Sequence, residues 1–269
     1  MPQRRSYVAA AQIGNAVYTI GGMVGDTGRP LATFTRYDAR RDSWTVLPQL
    51  PEPTRAPAAA AVGRTIYVAG GTTAAGNTAA VYAYDVDAGE WRPRAPLPEA
   101  RFNHAAVALG GEVWVLGGFR QGRELDDVFV YDPRADTWSR GPSLPEPNHA
   151  FDVVAFRGEI WLIGGRRGEE VLRDVWILDP ETREWRAGPA MPKPMELLGA
   201  AVVGDEIHAI WESTYQIYDA STGGWSSGPI PGVTRHALQT FYVDGALYTV
   251  GGCTTALRDS PIVERRAVS

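Results

Sequence analysis

The sequence predicts an all-β chain built from repeated four-stranded units, and three observations predict it. Trp44, Trp91, Trp138, Trp185 and Trp225 recur at intervals of 47, 47, 47 and 40 residues, each six residues after an aspartate (Asp38, Asp85, Asp132, Asp179 and Asp219). Glycine pairs keep the same beat at Gly21-Gly22, Gly70-Gly71, Gly117-Gly118, Gly164-Gly165 and Gly251-Gly252. Apolar residues fall in short alternating runs without a 3.6-residue period, so strands are expected and helices are not.

The third unit shows its elements in order. His104 to Leu109 is small and apolar and suits an innermost strand. Gly110-Gly111 then supplies the left-handed pair that a two-residue hairpin needs. Glu112 to Leu116 is the second strand, Asp127 to Tyr131 the third and Thr137 to Leu144 the fourth. Equivalent turns stand at Gly14-Asn15, Gly63-Arg64, Arg157-Gly158, Gly204-Asp205 and Asp244-Gly245. The innermost strands are short of large side chains (Ala58 to Ala61, Gly199-Ala200-Ala201), as strands converging on one axis must be. Asp152 and Gln239 break that rule in one shared register.

Tyr131-Asp132, Trp138 and Leu144-Pro145, with Arg101 and Gly117-Gly118 upstream, resemble the kelch repeat, and the resemblance covers nearly the whole chain. It implies a six-bladed β-propeller of four-stranded antiparallel blades, one domain over residues 1–269. The 47-residue spacing is most similar to the kelch domains of ubiquitin-ligase adaptors, whose BTB and BACK segments have no counterpart here. The recurring tryptophans then read as wedges between splayed blades and not as ligand contacts. Residues before Gly21 and after Gly251 together fall short of one repeat. The sixth blade is therefore expected to be assembled from both termini and to lack its outermost strand. That would leave an edge open to self-association.

Composition removes several functions. A net charge of -5 argues against a nucleic-acid partner. No apolar run reaches the roughly 18 residues of a membrane helix. Met1 to Ser6 lacks the apolar stretch of a secretory signal, so a cytoplasmic setting is expected. One cysteine, Cys253, excludes a disulfide framework and any multi-thiolate zinc site, and its position suits a buried thiol. Lys193 is the single lysine, so Schiff-base chemistry would have to use it. No cofactor or metal is expected: there is no HExxH, phosphate loop, GxSxG or dinucleotide fingerprint. Neither the Glu-Asp-His steps of plant specifier proteins nor the Cys-Tyr crosslink of galactose oxidase has a match.

In a propeller, the loops leading into the innermost strands and those following the second strands share one face and form a mouth around the axis. Alignment on the glycine pairs sends Arg5, Arg55, Arg101, Asn103, His104, Asn148, His149, Glu196, Trp211, Arg235 and His236 there as candidate ligand-binding residues. Arg120, Arg166, Arg167, Glu212 and Cys253 come from the following loops. Arginine outnumbers acid on this face although the chain is acidic, and a guanidinium fork suits carboxylate or phosphate. In the fifth unit the glycine pair is replaced by Trp211-Glu212 and the next loop is seven residues short, which predicts a notch in the rim.

Two functions fit. One is a binding module whose mouth recognises an anionic small molecule or an acidic peptide or protein segment. The other is an acid–base enzyme (an isomerase, mutarotase or cyclase) acting on a carboxylated substrate, with Glu196, His236 and His104 as the available groups. No catalytic constellation is spelled out, so binding is the favoured expectation.

Overall fold

The computed structural model describes residues 1–229, 232, 234–254 and 263–267. Six antiparallel sheets form a six-bladed β-propeller, and within each sheet the strands run outward in chain order. Blade 1 consists of Ala9–Ile13, Ala16–Ile20, Phe34–Asp38 and Ser43–Val46. Blade 3 consists of Ala105–Leu109, Glu112–Leu116, Val128–Asp132 and Thr137–Arg140. Its fourth strand is shorter than expected because Gly141 closes the ladder onto the Val128 carbonyl, and Pro142 follows without a donor. Each innermost strand touches that of the next blade, round to blade 6 and back to blade 1.

The repeat residues hold this arrangement in definable ways. Each repeat aspartate accepts backbone N–H groups from the turn that follows it. Asp132 takes Arg134 at 2.8 Å and Ala135 at 3.3 Å, and Asp38, Asp85, Asp179 and Asp219 do likewise. This local bond fixes the turn between the third and fourth strands. Four of the tryptophans then lean on the tyrosine beside their aspartate, as Trp138 does on Tyr131 at 4.9 Å, while Trp185 pairs across the ladder with Leu178. Four also donate their indole N–H to the preceding blade: Trp91 to Pro48, Trp138 to Ala95, Trp185 to Pro142 and Trp225 to Pro189. The ring is thus packed and stitched by one residue type. The apolar core is divided accordingly, with a buried cluster at each blade–blade interface.

The first glycine of each pair has a left-handed backbone and sits under the next blade's leading loop. A Cβ at Gly164 would lie 2.4 Å from the Met195 carbonyl, and one at Gly21 2.3 Å from that of Thr54.

Blades 5 and 6 depart from the pattern. In blade 5, Glu206–Trp211 turns into Thr214–Asp219 without the small hairpin that follows the second strand in blades 2, 3 and 4. In blade 6, three strands are found among the described residues: His236–Val243, Ala246–Cys253 and Val263–Ala267. All three come from the C-terminal part of the chain. The expectation that both termini build this sheet is therefore corrected. The leading segment instead pairs within blade 1, through Ser6 and Met23, and closes the ring by packing Met1, Arg5 and Val8 around Gly251.

Candidate functional site

The axis is lined where each leading loop turns into its innermost strand. Tyr7, Ala56, Asn103, Ala150, Leu197 and Ala237 occupy this place, one per blade. All six have left-handed backbones with φ between 46° and 58°. Six non-glycine residues hold a conformation that costs energy, and neighbouring bonds over-determine it. Ala56 donates to Tyr7 at 2.9 Å, Ala150 to Asn103 at 2.9 Å, Leu197 to Ala150 at 2.6 Å and Ala237 to Leu197 at 2.8 Å. This collar surrounds an axial cavity of about 60 Å³. That is room for a few waters and far less than a drug-sized ligand needs.

Two residues before each collar position stand Arg5, Thr54, Arg101, Asn148, Met195 and Arg235. Four of them reach back to the first glycine of their own blade. Arg5 donates to the Gly21 carbonyl at 2.8 Å, Arg101 to Gly117 at 2.9 Å, Asn148 to Gly164 at 2.9 Å and Arg235 to Gly251 at 2.8 Å. The three arginines are fully covered. Burial pulls the guanidinium groups of Arg5 and Arg101 down to about 10. These four side chains, expected at the mouth, are therefore braces inside the blades. His104 is also buried: its Nε2 lies 3.1 Å from the Ala69 carbonyl, and burial lowers the imidazole to about 3, so it stays neutral.

The position between brace and collar points differently. It holds Ser6, Arg55, Phe102, His149, Glu196 and His236, and all but the buried Ser6 are partly exposed. His149 lies 5.1 Å from the Phe119 ring and 3.4 Å from Glu124, and burial lowers its imidazole. Glu196 accepts two bonds from Arg166, at 3.0 and 3.2 Å. Arg120 is paired with Glu99, and Arg167 with Glu146 and Glu170. Arg55 has no carboxylate partner among the described residues; its Nη1 lies 3.7 Å from the Met23 sulfur. The arginine excess expected from the sequence is thus largely consumed, and Arg55 is what remains open.

The structure brings Arg55, Asn103, His149, Glu196 and His236 to the mouth. Trp211 is half-buried beside the shortened hairpin, against the apolar cluster between blades 4 and 5. Tyr7 joins the site. Burial raises its phenol, and Cys253 and Glu196 add to the rise while Arg55 opposes it, so these groups share one electrostatic neighbourhood. Cys253 faces His236 across the first rung of blade 6, with Sγ 3.0 Å from Nε2. The opposite ring nitrogen, Nδ1, lies 3.7 Å from a Glu212 oxygen. Deeper on the axis, Asp152 accepts the N–H groups of Val153 at 2.8 Å and of Ala200 in the next blade at 2.7 Å, and burial raises its carboxyl to about 7. Of the collar, the sequence singled out only Asn103 as a ligand candidate, although a fixed two-residue step from the brace position locates all six residues.

Among the described residues, no group of three or more His, Cys, Asp or Glu is placed to hold a metal ion. Nor is any helix among them long and apolar enough to cross a membrane. The sequence family described as the KLHDC2/KLHL20/DRC7 Kelch-repeats domain matches residues 7–210. No curated protein matches the chain. A solved structure described as "Structure of YjhT" is similar with a TM-score of 0.87 and 16% identity, covering 100% of this chain and 96% of that one. At that identity the likeness concerns the fold.

Proposed function

Because the chain belongs to the kelch-repeat family, whose propellers are in general binding scaffolds for proteins, we propose that its mouth docks a carboxylate-bearing ligand, an acidic peptide segment or a small organic acid. Arg55 is the anchor in this reading. The observation that carries it is that Arg55 stands partly exposed at the rim without a carboxylate partner among the described residues, while the other arginines expected at the mouth are buried as braces or already paired. A guanidinium fork is suited to one carboxylate. Asn103 and Tyr7 border the same axial opening and would supply polar contacts to it.

The small cavity supports docking on the rim over enclosure of a whole substrate. The acid–base alternative has less support. His104 is held neutral beneath the surface, and Glu196 is engaged by Arg166.

A thermal-shift screen of small mono- and dicarboxylates, together with an array of acidic peptides, tests the reading. A ligand found this way should bind Arg55→Ala at least about tenfold more weakly, roughly 1.4 kcal/mol. A ligand that binds the variant as tightly as the wild type would sink the assignment.

A further inference from the structure

The least expected arrangement in the molecule is at the seam of blades 5 and 6. In blades 1, 2, 3, 4 and 6 the second residue of the glycine pair is glycine, and a Cβ there would collide: 2.6 Å from the Ser6 carbonyl at Gly22, 2.2 Å from Asn148 at Gly165. In blade 5 this place is Glu212, still left-handed at φ 49° and still donating its N–H to the next leading loop, at the Arg235 carbonyl, 2.7 Å. The substitution puts a carboxylate beside His236, the residue that follows Arg235. Blade 6 then supplies a thiol on the other side of the same imidazole. At this rung blades 1 to 4 pair Ser6 with Met23, Arg55 with Thr72, Phe102 with Phe119 and His149 with Arg166.

We propose that Cys253 is a nucleophilic thiol activated by His236, with Glu212 as the positioning residue, and that it adds covalently to a small α,β-unsaturated carbonyl compound entering the mouth. The order is thiol, imidazole, carboxylate, with the two outer groups on opposite ring nitrogens. That is the arrangement in which a base takes a thiol proton while a carboxylate beside the far ring nitrogen holds the ring in place. It also keeps Cys253 and Glu212 from converging on one ion. Two of the three groups sit on paired strands and the third on a tight turn between strands, which suits a fixed geometry.

The thiol lies near the axial opening: Cys253 is among the groups that raise the phenol of Tyr7, and Tyr7 lines that cavity. Cys253 itself is only 2% exposed, whereas the His236 and Glu212 side chains are 18% and 32% exposed. The reaction therefore suits a small, flat electrophile that slides in beside the imidazole.

The step balances without an external oxidant or reductant. Nε2 of His236 takes the thiol proton, and the sulfur forms a bond to the β-carbon of the unsaturated carbonyl. The π pair moves to the α-carbon, which then receives that proton from the imidazolium. Nothing leaves, and the product is a thioether adduct. This inference does not depend on Arg55: the probe below is neutral and reads the thiol alone.

The experiment uses the intact chain and N-ethylmaleimide, with adduct formation followed by intact-protein mass spectrometry from pH 5 to 8.5. With one cysteine in the chain, Cys253→Ser sets the background. The wild type should label with a pH midpoint well below the value of about 8.5 of an ordinary thiol. His236→Gln should slow labelling at pH 6.5 at least tenfold and return the midpoint to the ordinary value. Glu212→Gln should raise the midpoint by a smaller amount, an effect that loss of packing alone would not produce. A wild-type profile that follows an ordinary thiol, an absence of adduct on the folded protein, or a His236→Gln variant that labels as fast as the wild type would each overturn the proposal. The wild-type profile decides the matter if a variant fails to fold.

Discussion

Arg101 reaches back to its own blade: its Nη1 donates to the carbonyl of Gly117, sixteen residues on, at 2.9 Å. The same reach joins Arg5 to Gly21, Asn148 to Gly164 and Arg235 to Gly251. The glycine must turn sharply beneath the neighbouring blade, and its carbonyl is left inside the protein, so a long donor is required to satisfy it.

Replacing Arg101 with Ala should therefore be a stability defect. It strands the Gly117 carbonyl and removes the guanidinium from the Phe129 ring, 4.7 Å away. A loss of about 3 kcal/mol is expected, which lowers Tm by roughly 6–12 °C in a chain of this size. Calorimetry checks it, and Arg101→Lys should rescue only part of the loss because it lacks the fork.

Glycines divide into two sorts by what lies above them. Gly164→Ala puts a Cβ 2.4 Å from the Met195 carbonyl at a left-handed φ of 63° and should cost more than about 2 kcal/mol. Gly224→Ala meets nothing nearer than Thr222 Oγ1 at 4.0 Å and should stay within about 0.5 kcal/mol. Urea melts of the two variants side by side make the comparison.

Asp152 should make stability fall as pH rises. Its carboxyl is raised from 3.8 to about 7 by burial. Between those values the folded chain holds a proton that the unfolded chain has lost, so stability is greatest on the acid side of the window and declines toward pH 7. Asp152→Asn keeps an acceptor for the Ala200 N–H and removes the titration. Melting curves at pH 5.5 and 8 should show a drop several degrees smaller in the variant than in the wild type.

Glu196 neutralises Arg166, and the mouth should respond to its removal. Glu196→Gln frees a second guanidinium beside the axis, so a carboxylate ligand identified through Arg55 should bind several-fold more tightly. Isothermal titration at two salt concentrations checks this. The gain should shrink at high salt, where exposed charges are screened.

The six-bladed architecture was legible because the constraints that make it are local and repeated. An aspartate caps its own turn, a tryptophan lies at a fixed step behind it, and a glycine pair marks each strand end, so spacing alone reveals the blades. The mouth was less legible. Alignment placed Arg5, Arg55, Arg101 and Arg235 on one face with equal standing, because a one-dimensional pattern carries no side-chain direction. The leading loop turns between brace and rim positions. Arg55, one residue later in the loop than the braces, points outward, while the other three are drawn under the glycine carbonyls. Asn148 was read as a ligand contact for the same reason, although it does an arginine's work in blade 4 with a shorter arm.

Cys253, His236 and Glu212 illustrate the other limit. Only Glu212 is visible in the sequence as a departure from the repeat, where it replaces a glycine, and 41 residues separate it from Cys253. By itself the sequence determined the number of blades, their strand order and the shortened blade 5 loop, because these follow from short-range turn chemistry repeated along the chain. Only the tertiary structure decided which polar residues are structural and which face solvent. It also decided that a thiol, an imidazole and a carboxylate meet at the seam of blades 5 and 6. Ring closure sets both, through contacts between segments far apart in the chain.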